Sequence, residues 1–323
     1  MNHHLIPQTV QQELLLPHGA VVKELASGGL SAAHIWRCDS PHGPLALRAW
    51  PPQHPPAEQL LAIHLAMRTA RSQGLQFIPQ LCNTRQGGSS LAVDGQLWEL
   101  TQWMPGVADY LIRPSLAKLQ AALQALAELH QTWQTHAVGS ASRSSPTVAQ
   151  RQQRLQWAWS QLSNWARSGL GSSAYGALVS STLRHLAAQT PQLLQRLERL
   201  EAVPVAVHFA LRDIWSDHVF FSDDRVTGII DFGAARIDEP ATDVARLLGS
   251  LEPFDAQRRE YGLAAYREIQ PTLDPQRVQV LDEVATLLAA VQWFQWLVLE
   301  QREFKVPAAR LRPIQVLRGR KGR

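Results

Sequence analysis

Two aspartates, Asp213 and Asp231, occupy positions in this 323-residue sequence that suit phosphoryl-transfer chemistry. Each comes close behind a short apolar run that we predict to be a strand, and a predicted hairpin of residues 219–221 and 226–230 separates them. This order would bring both carboxylates to one rim of a small sheet. Phosphoryl transfer needs one carboxylate to orient the attacking hydroxyl and accept its proton, and another to hold the metal that bridges nucleotide phosphates. The alternative is that both are ordinary turn or cap residues.

Four sequence pieces around these aspartates occur in a fixed order: Leu211-Arg212-Asp213, then His218, then Asp231-Phe232-Gly233, then D-E-P-A-T-D-V-A at 238–245. They resemble the aminoglycoside phosphotransferase and choline kinase superfamily, whose usual forms are H-G-D-x-x-x-x-N, I-D-[FWY]-G and D-P-x-x-D-[LV]-A. The resemblance implies a protein-kinase-like fold, ATP and Mg²⁺ as cofactors, Asp213 as the catalytic base, and His218 and Asp231 as metal ligands.

The sequence departs from that family at two places in the catalytic loop. Leu211-Arg212 stands where His-Gly is usual, and His218 stands where Asn is usual. Magnesium prefers oxygen ligands, whereas imidazole favours softer divalent ions, so Mn²⁺ is an alternative metal. The neighbouring Asp217 could supply an oxygen instead, and His218 could also contact a phosphate or take no part.

Nucleotide-binding candidates lie in the amino-terminal third. Gly28, Gly29 and Ser31 stand between two predicted strands, where small residues let backbone amides approach phosphates, although a Gly-Gly pair is also common in simple hairpins. Leu45-Ala46-Leu47-Arg48 resembles the kinase strand motif V-A-I-K, which implies that Arg48 contacts phosphate. Glu58 is the only acidic residue from 49 to 93, so we expect it to be the ion-pair partner of Arg48.

The stretch Glu99–Met104 is predicted to be a hinge in which backbone groups contact adenine, with Glu99 and Thr101 as the candidate residues. Before it, strand-like runs and tight turns surround one helical segment at 57–73; after it, long helical periodicities dominate. We therefore predict an α+β, protein-kinase-like two-lobed fold. The nucleotide-binding lobe, with a small antiparallel sheet, would span 1–104, and the larger, mainly helical catalytic and substrate-binding lobe 105–323.

The acceptor is expected to be a small molecule such as an aminoglycoside, choline or a homoserine-like alcohol. Trp293, Trp296 and Glu300 share one helical face that could receive an amine-bearing alcohol, or that could simply form a core stripe. A protein kinase is disfavoured because Asp231-Phe232-Gly233 runs almost directly into a predicted helix. The rival hypothesis is a nucleotide-binding pseudokinase that acts through a partner.

Composition bears on the partners and the cellular compartment of the protein. The formal charge of +4 is small for this length, which disfavours a nucleic-acid partner. The 2 cysteines are too few for a disulfide framework and fit the cytoplasm. The start shows no secretory signal pattern, and the apolar stretch 284–299 is too short to span a bilayer, so we expect no membrane partner. We expect a monomer or a homodimer.

Overall fold

The computed structural model describes residues 6–16, 21–25, 33–52, 54–136, 141–167 and 176–302. The chain divides into two compact units. The first comprises Met1–Val138 with Leu211–Arg236, and the second comprises Gly139–Ala210 with Ile237–Arg323. The segment that carries Asp213 and Asp231 therefore belongs to the same unit as the amino-terminal strands. The predicted lobe boundary near residue 104 stays a prediction.

The first unit is built on a five-stranded antiparallel sheet in the order β1-β2-β3-β5-β4. Its strands are β1 (Val21–Glu24), β2 (His34–Asp39), β3 (Leu45–Ala49), β4 (Leu91–Val93) and β5 (Gln96–Gln102). Asp94 and Gly95 join β4 to β5 with φ angles of 50° and 77°. Positive φ at both central residues is what a two-residue type I′ hairpin turn requires, and an Asp-Gly dipeptide adopts it readily.

A short helix that the sequence analysis missed packs on this sheet. α1 (Gln8–Glu13) buries Val10, and Leu14 follows it into a core formed with Trp36, Leu47 and Trp98. With six residues and no side-chain cap, α1 carries no periodic signal of its own. Its stability comes from tertiary packing.

The rest of the first unit comprises α2 (Ala57–Ser72), α3 (Leu116–Thr135) and a hairpin of β8 (Val219–Ser222) with β9 (Arg225–Ile229). α2 buries Leu60, Ile63 and Met67 at helical spacing. α3 packs beside it, and the indole of Trp133 donates a hydrogen bond of 2.9 Å to the carbonyl of Ala66. The hairpin separates Asp213, which precedes it, from Asp231, which follows it.

The second unit combines five helices with a three-stranded sheet in the order β10-β7-β6. The helices are α4 (Pro146–Arg167), α5 (Gly176–Glu201), α6 (Ala241–Leu251), α7 (Ala256–Ile269) and α8 (Pro275–Phe294), which continues as a π-helical turn, Gln295–Leu299. The strands are β6 (Ala141–Arg143), β7 (Val205–Ala210) and β10 (Arg236–Asp238), which begins at the last residue of the first unit. β6 was not predicted, because it lies in a Ser-rich stretch that indicated a loop.

Buried polar contacts anchor the start of α6. Asp238 accepts hydrogen bonds from the backbone amide of Thr147, at 3.0 Å, and from its hydroxyl, at 2.6 Å. Glu239 accepts from Ser145, at 2.7 Å, and from the guanidinium of Arg277. Both carboxylates are therefore structural. Across the described ranges, every helix is too short or too polar to cross a membrane.

Candidate active site

The structure brings Asp213 and Asp231 together through His218. Asp213 lies in the loop after β7, His218 ends a single 3₁₀ turn, Ser216–His218, and Asp231 follows β9. The imidazole Nδ1 lies 2.9 Å from the carbonyl oxygen of Asp213, and Nε2 lies 3.6 Å from Oδ2 of Asp231. A backbone hydrogen bond of 3.0 Å from Ile230 to the carbonyl of His218 fixes the two segments against each other. The two predicted site segments are therefore neighbours in space.

Backbone conformation is unusual at this site. Arg212 has φ of 64° and Asp231 has φ of 66°, both in the left-handed region that non-glycine residues rarely adopt. Such conformations persist where surrounding contacts over-determine them, and they cluster at functional sites. The left-handed angle at Arg212 also explains why glycine is usual before the catalytic aspartate in the family that the sequence resembles.

The side chain of Asp213 is held by an aromatic neighbour. The indole nitrogen of Trp215 donates a hydrogen bond of 2.7 Å to Oδ1 of Asp213, and both residues are half-buried. This contact restricts the carboxylate to one orientation before any substrate arrives. Trp215 thus orients the candidate base.

The hydrogen bond from His218 shows that Nδ1 of the ring carries a proton. A carbonyl oxygen can only accept, so Nδ1 is the donor, and Nε2 is the ring nitrogen left to bind a cation. That nitrogen faces Asp231 at 3.6 Å and Asp217 at 3.8 Å. An imidazole nitrogen oriented by a backbone carbonyl, next to carboxylate oxygens, is a donor set suited to a borderline divalent cation. Within the described ranges, no three His, Cys, Asp or Glu side chains are arranged to hold a metal by themselves.

Arg48 reaches the same site from β3. Its guanidinium Nη1 lies 3.4 Å from Oδ1 of Asp231, and the group stacks 4.6 Å from the ring centre of Trp50. Its Nε lies 3.7 Å from Oε1 of Glu99. Arg48 thus places a permanent positive charge beside the candidate metal ligand.

The prediction that Glu58 pairs with Arg48 is wrong. Glu58 is exposed in the first turn of α2, and the ion-pair partners of Arg48 among the described residues are Glu99 and Asp231. Glu99 lies directly opposite Arg48 in the register of β3 and β5, so the two side chains share one face of the sheet. Glu99 lies on β5, beyond the stretch 49–93 in which Glu58 is the only acidic residue.

Glu99 and Thr101 were predicted to contact adenine through their backbone. The side chain of Glu99 is buried in contacts with Arg48 and His64, and the predicted contact of its backbone with adenine stays a prediction. Around Thr101, the carbonyl of Leu100 and the amide of Gln102 bond to the segment 80–82, and β3 lies along the other edge. β5 is therefore an interior strand there, and the contact of Thr101 with adenine stays a prediction.

Gly28, Gly29 and Ser31 lie outside the described residues, so their predicted contact with phosphates also stays a prediction. The aromatic face proposed for an amine substrate is core only in part, because Trp296 is half-buried and Glu300 is exposed. Trp293 is 5% exposed and packs edge-on against Trp296 at 5.5 Å. Glu300 pairs with Arg302 at 2.6 Å and accepts a hydrogen bond from Gln295.

Comparison with known proteins decides the family. The model of the phosphotransferase enzyme family matches residues 22–281. This chain belongs to the phosphotransferase enzyme family. The resemblance inferred from the catalytic segment is confirmed.

Relatives and solved structures agree with this assignment. The homoserine kinase of Gluconacetobacter diazotrophicus is 28% identical over 204 residues, which cover 62% of this chain and 58% of that enzyme. The chain thus matches less than two thirds of that relative's length. A microcompartment-associated aminopropanol kinase is similar with a TM-score of 0.64, 15% identity, and coverage of 97% and 93% of the two chains. A spectinomycin phosphotransferase in complex with ADP and spectinomycin is similar with a TM-score of 0.63 and 13% identity. The match covers 94% of this chain and 89% of that chain. The predicted α+β kinase-like fold is confirmed.

Proposed function

We propose that this phosphotransferase family member uses ATP to phosphorylate a hydroxyl of a small amino alcohol of the homoserine kind. The observation that carries the proposal is the convergence of Asp213, His218 and Asp231, with Arg48 beside them. The sequence similarity to a homoserine kinase supports an acceptor of this kind.

Asp213 is the residue that we assign to proton transfer. A carboxylate near an acceptor hydroxyl aligns its oxygen with the γ-phosphorus and takes the proton as the new bond forms. The indole of Trp215 fixes the orientation of this carboxylate. Such positioning carries much of the catalytic effect, because phosphoryl transfer leaves the protein little covalent chemistry to perform.

Asp231 and His218 are the residues that we assign to a divalent ion, Mg²⁺ or Mn²⁺, with further ligands from the nucleotide. The ion would neutralise charge on the β- and γ-phosphates. The position of Nε2 of His218, 3.6 Å from Oδ2 of Asp231, supports this assignment, and an imidazole ligand favours Mn²⁺. The guanidinium of Arg48 would bind phosphate oxygens in a planar, two-pronged geometry, and Gly28, Gly29 and Ser31 would contribute backbone amides.

The same proposal includes the surroundings of the enzyme. We place it in the cytoplasm as a monomer or homodimer that acts on a small molecule, with no nucleic-acid or membrane partner. The two cysteines, Cys38 and Cys82, are both free thiols, which supports a reducing compartment. The small net charge of +4 supports the absence of a nucleic-acid partner.

Phosphoryl transfer from labelled ATP tests the proposal. Homoserine, aminopropanol, choline and an aminoglycoside are offered in turn with Mg²⁺ or Mn²⁺. We expect transfer to an amino alcohol, its loss in Asp213→Asn, and its retention in the matched control Asp223→Asn, an exposed turn residue between β8 and β9. If ATP with metal raises the melting temperature but no acceptor is phosphorylated, the kinase proposal fails and the pseudokinase hypothesis replaces it.

A further inference from the structure

A continuous line of polar side chains connects the interior of the first unit to Asp231. The hydroxyl of Ser89 lies 2.8 Å from Nδ1 of His64, and Nε2 of His64 lies 2.7 Å from Oε2 of Glu99. The other oxygen of Glu99 lies 3.7 Å from Nε of Arg48, whose Nη1 lies 3.4 Å from Oδ1 of Asp231. Ser89, His64 and Glu99 are 6%, 1% and 7% exposed.

Serine, histidine and glutamate are also the residue types of a nucleophilic triad. A nucleophile must meet its substrate, and a hydroxyl on a residue that is 6% exposed in the protein interior cannot do so. Fully hydrogen-bonded buried networks instead rigidify the groups that they hold. The line of contacts therefore points to positioning and not to a second reaction.

Glu99 is the central group because each of its oxygens has a different partner. Burial alone would raise the pKa of Glu99, but the hydrogen bond from His64 and the positive charge of Arg48 outweigh that effect and lower it. The carboxylate is thus ionised at neutral pH, so that it accepts from the imidazole on one side and attracts the guanidinium on the other.

Glu99 comes from a different element than the glutamate of the usual kinase-like arrangement. There, a helix supplies the glutamate that pairs with the basic residue at the position of Arg48. Here the acid comes from the adjacent strand, β5, in direct register with Arg48 on β3. The helix α2 contributes His64 instead. Helix α2 therefore influences Arg48 through the link between His64 and Glu99.

We propose that His64 and Ser89 are positioning residues that hold the carboxylate of Glu99, and through it the guanidinium of Arg48, in the orientation that phosphate binding requires. The consequence for phosphate binding depends on the proposed kinase function. The orientation of Arg48 does not depend on the kinase function, because it is a property of the protein without nucleotide. The two parts can therefore be tested separately.

The first test observes Arg48 directly. In ¹⁵N-labelled protein without nucleotide, the Nε–H resonance of Arg48, assigned from its loss in Arg48→Lys, is expected to exchange slowly with solvent. It should exchange about tenfold faster in His64→Leu, because one buried charge-assisted hydrogen bond to Glu99 is lost. His64→Gln, whose amide can still donate, should restore most of the protection. His136→Gln, at an exposed histidine, is the matched control. Unchanged protection in a folded His64→Leu protein overturns the proposal.

The second test measures the dissociation constant of ATP with metal. His64→Leu should weaken binding about tenfold in the wild-type background and leave it unchanged in Arg48→Met, because His64 acts through Arg48. If His64→Leu lowers the affinity for ATP equally in both backgrounds, the effect is a general structural one and the proposal is overturned. If the wild type binds no nucleotide while the Nε–H protection follows the expected order, the kinase function fails and the positioning role stands.

Discussion

Replacing Gly106 with alanine tests whether the segment after β5 is packed as tightly on the β8–β9 hairpin as the structure indicates. Gly106 has φ of 90°, and an added Cβ would lie 2.4 Å from Oγ1 of Thr227 and 2.5 Å from the carbonyl oxygen of Phe221. Neither atom can withdraw easily. The hydroxyl of Thr227 donates to the carbonyl of Pro105 at 2.7 Å, and the carbonyl of Phe221 accepts from the amide of Val107 at 3.0 Å.

Two separate effects determine how much Gly106→Ala lowers the free energy of unfolding. Holding alanine at a positive φ costs about 1–2 kcal/mol. Forcing the surrounding backbone to shift costs about 1–3 kcal/mol more. We therefore expect Gly106→Ala to lower the free energy of unfolding by about 2–5 kcal/mol, a large share of the stability of an ordinary domain.

Gly74 provides the matched control, because its φ of 91° is nearly the same and its added Cβ would meet no atom within 4 Å. Gly74→Ala should lose only the stability that it costs to hold alanine at a positive φ. The assay is urea unfolding followed by tryptophan fluorescence and circular dichroism, and coincident transitions would justify a two-state analysis. If Gly106→Ala loses no more stability than Gly74→Ala, the tight packing of residue 106 on the hairpin is refuted.

Asp231→Asn should weaken the affinity for Mn²⁺ with nucleotide, measured by calorimetry. Asp213→Asn should keep that affinity and lower kcat about 10²–10⁴-fold. The reverse pattern would mean that the two aspartates have the opposite roles. Arg212→Gly should be about 1 kcal/mol more stable than Arg212→Ala in urea, because φ of 64° favours glycine, and equal stabilities would argue against that conformation. Glu99 has a folded-state pKa below its usual 4.5, so it stabilises the fold above that pH and the contribution is lost as pH falls through the lowered pKa. The stability gap between wild type and Glu99→Gln should therefore shrink below about pH 4.5 in urea titrations, and a gap that widens would contradict the lowered pKa. Burial raises the pKa of Cys38 to about 11, so a thiol reagent should modify it only after unfolding; rapid modification of the native protein would show that it is accessible.

The proximity of the segments that carry Asp213 and Asp231 could be predicted from sequence because the information is local. Asp213, His218 and Asp231 lie within one loop and one hairpin, so their spacing along the chain nearly determines their spacing in the fold. The Asp94-Gly95 turn is local in the same sense, since its backbone angles favour those two residue types.

The partner of Arg48 could not be predicted in this way. β3 and β5 are neighbours in the sheet but are separated in sequence by α2 and β4, so the pairing of Arg48 with Glu99 depends on tertiary register. His64 gave no signal either, because a histidine on the apolar face of a helix is usually a satisfied core residue. Its contact with Glu99 depends on the packing of α2 against β5 and is visible only in the structure.

The most direct test of the central claim is a crystal structure of the protein with Mn²⁺ and a non-hydrolysable ATP analogue, measured with anomalous scattering from manganese. The account predicts an anomalous peak coordinated by the carboxylate of Asp231 and by Nε2 of His218, with Asp213 on the side of the γ-phosphate where an acceptor hydroxyl binds. A nucleotide bound with its phosphates remote from both aspartates, or a metal with neither Asp231 nor His218 among its ligands, would contradict it.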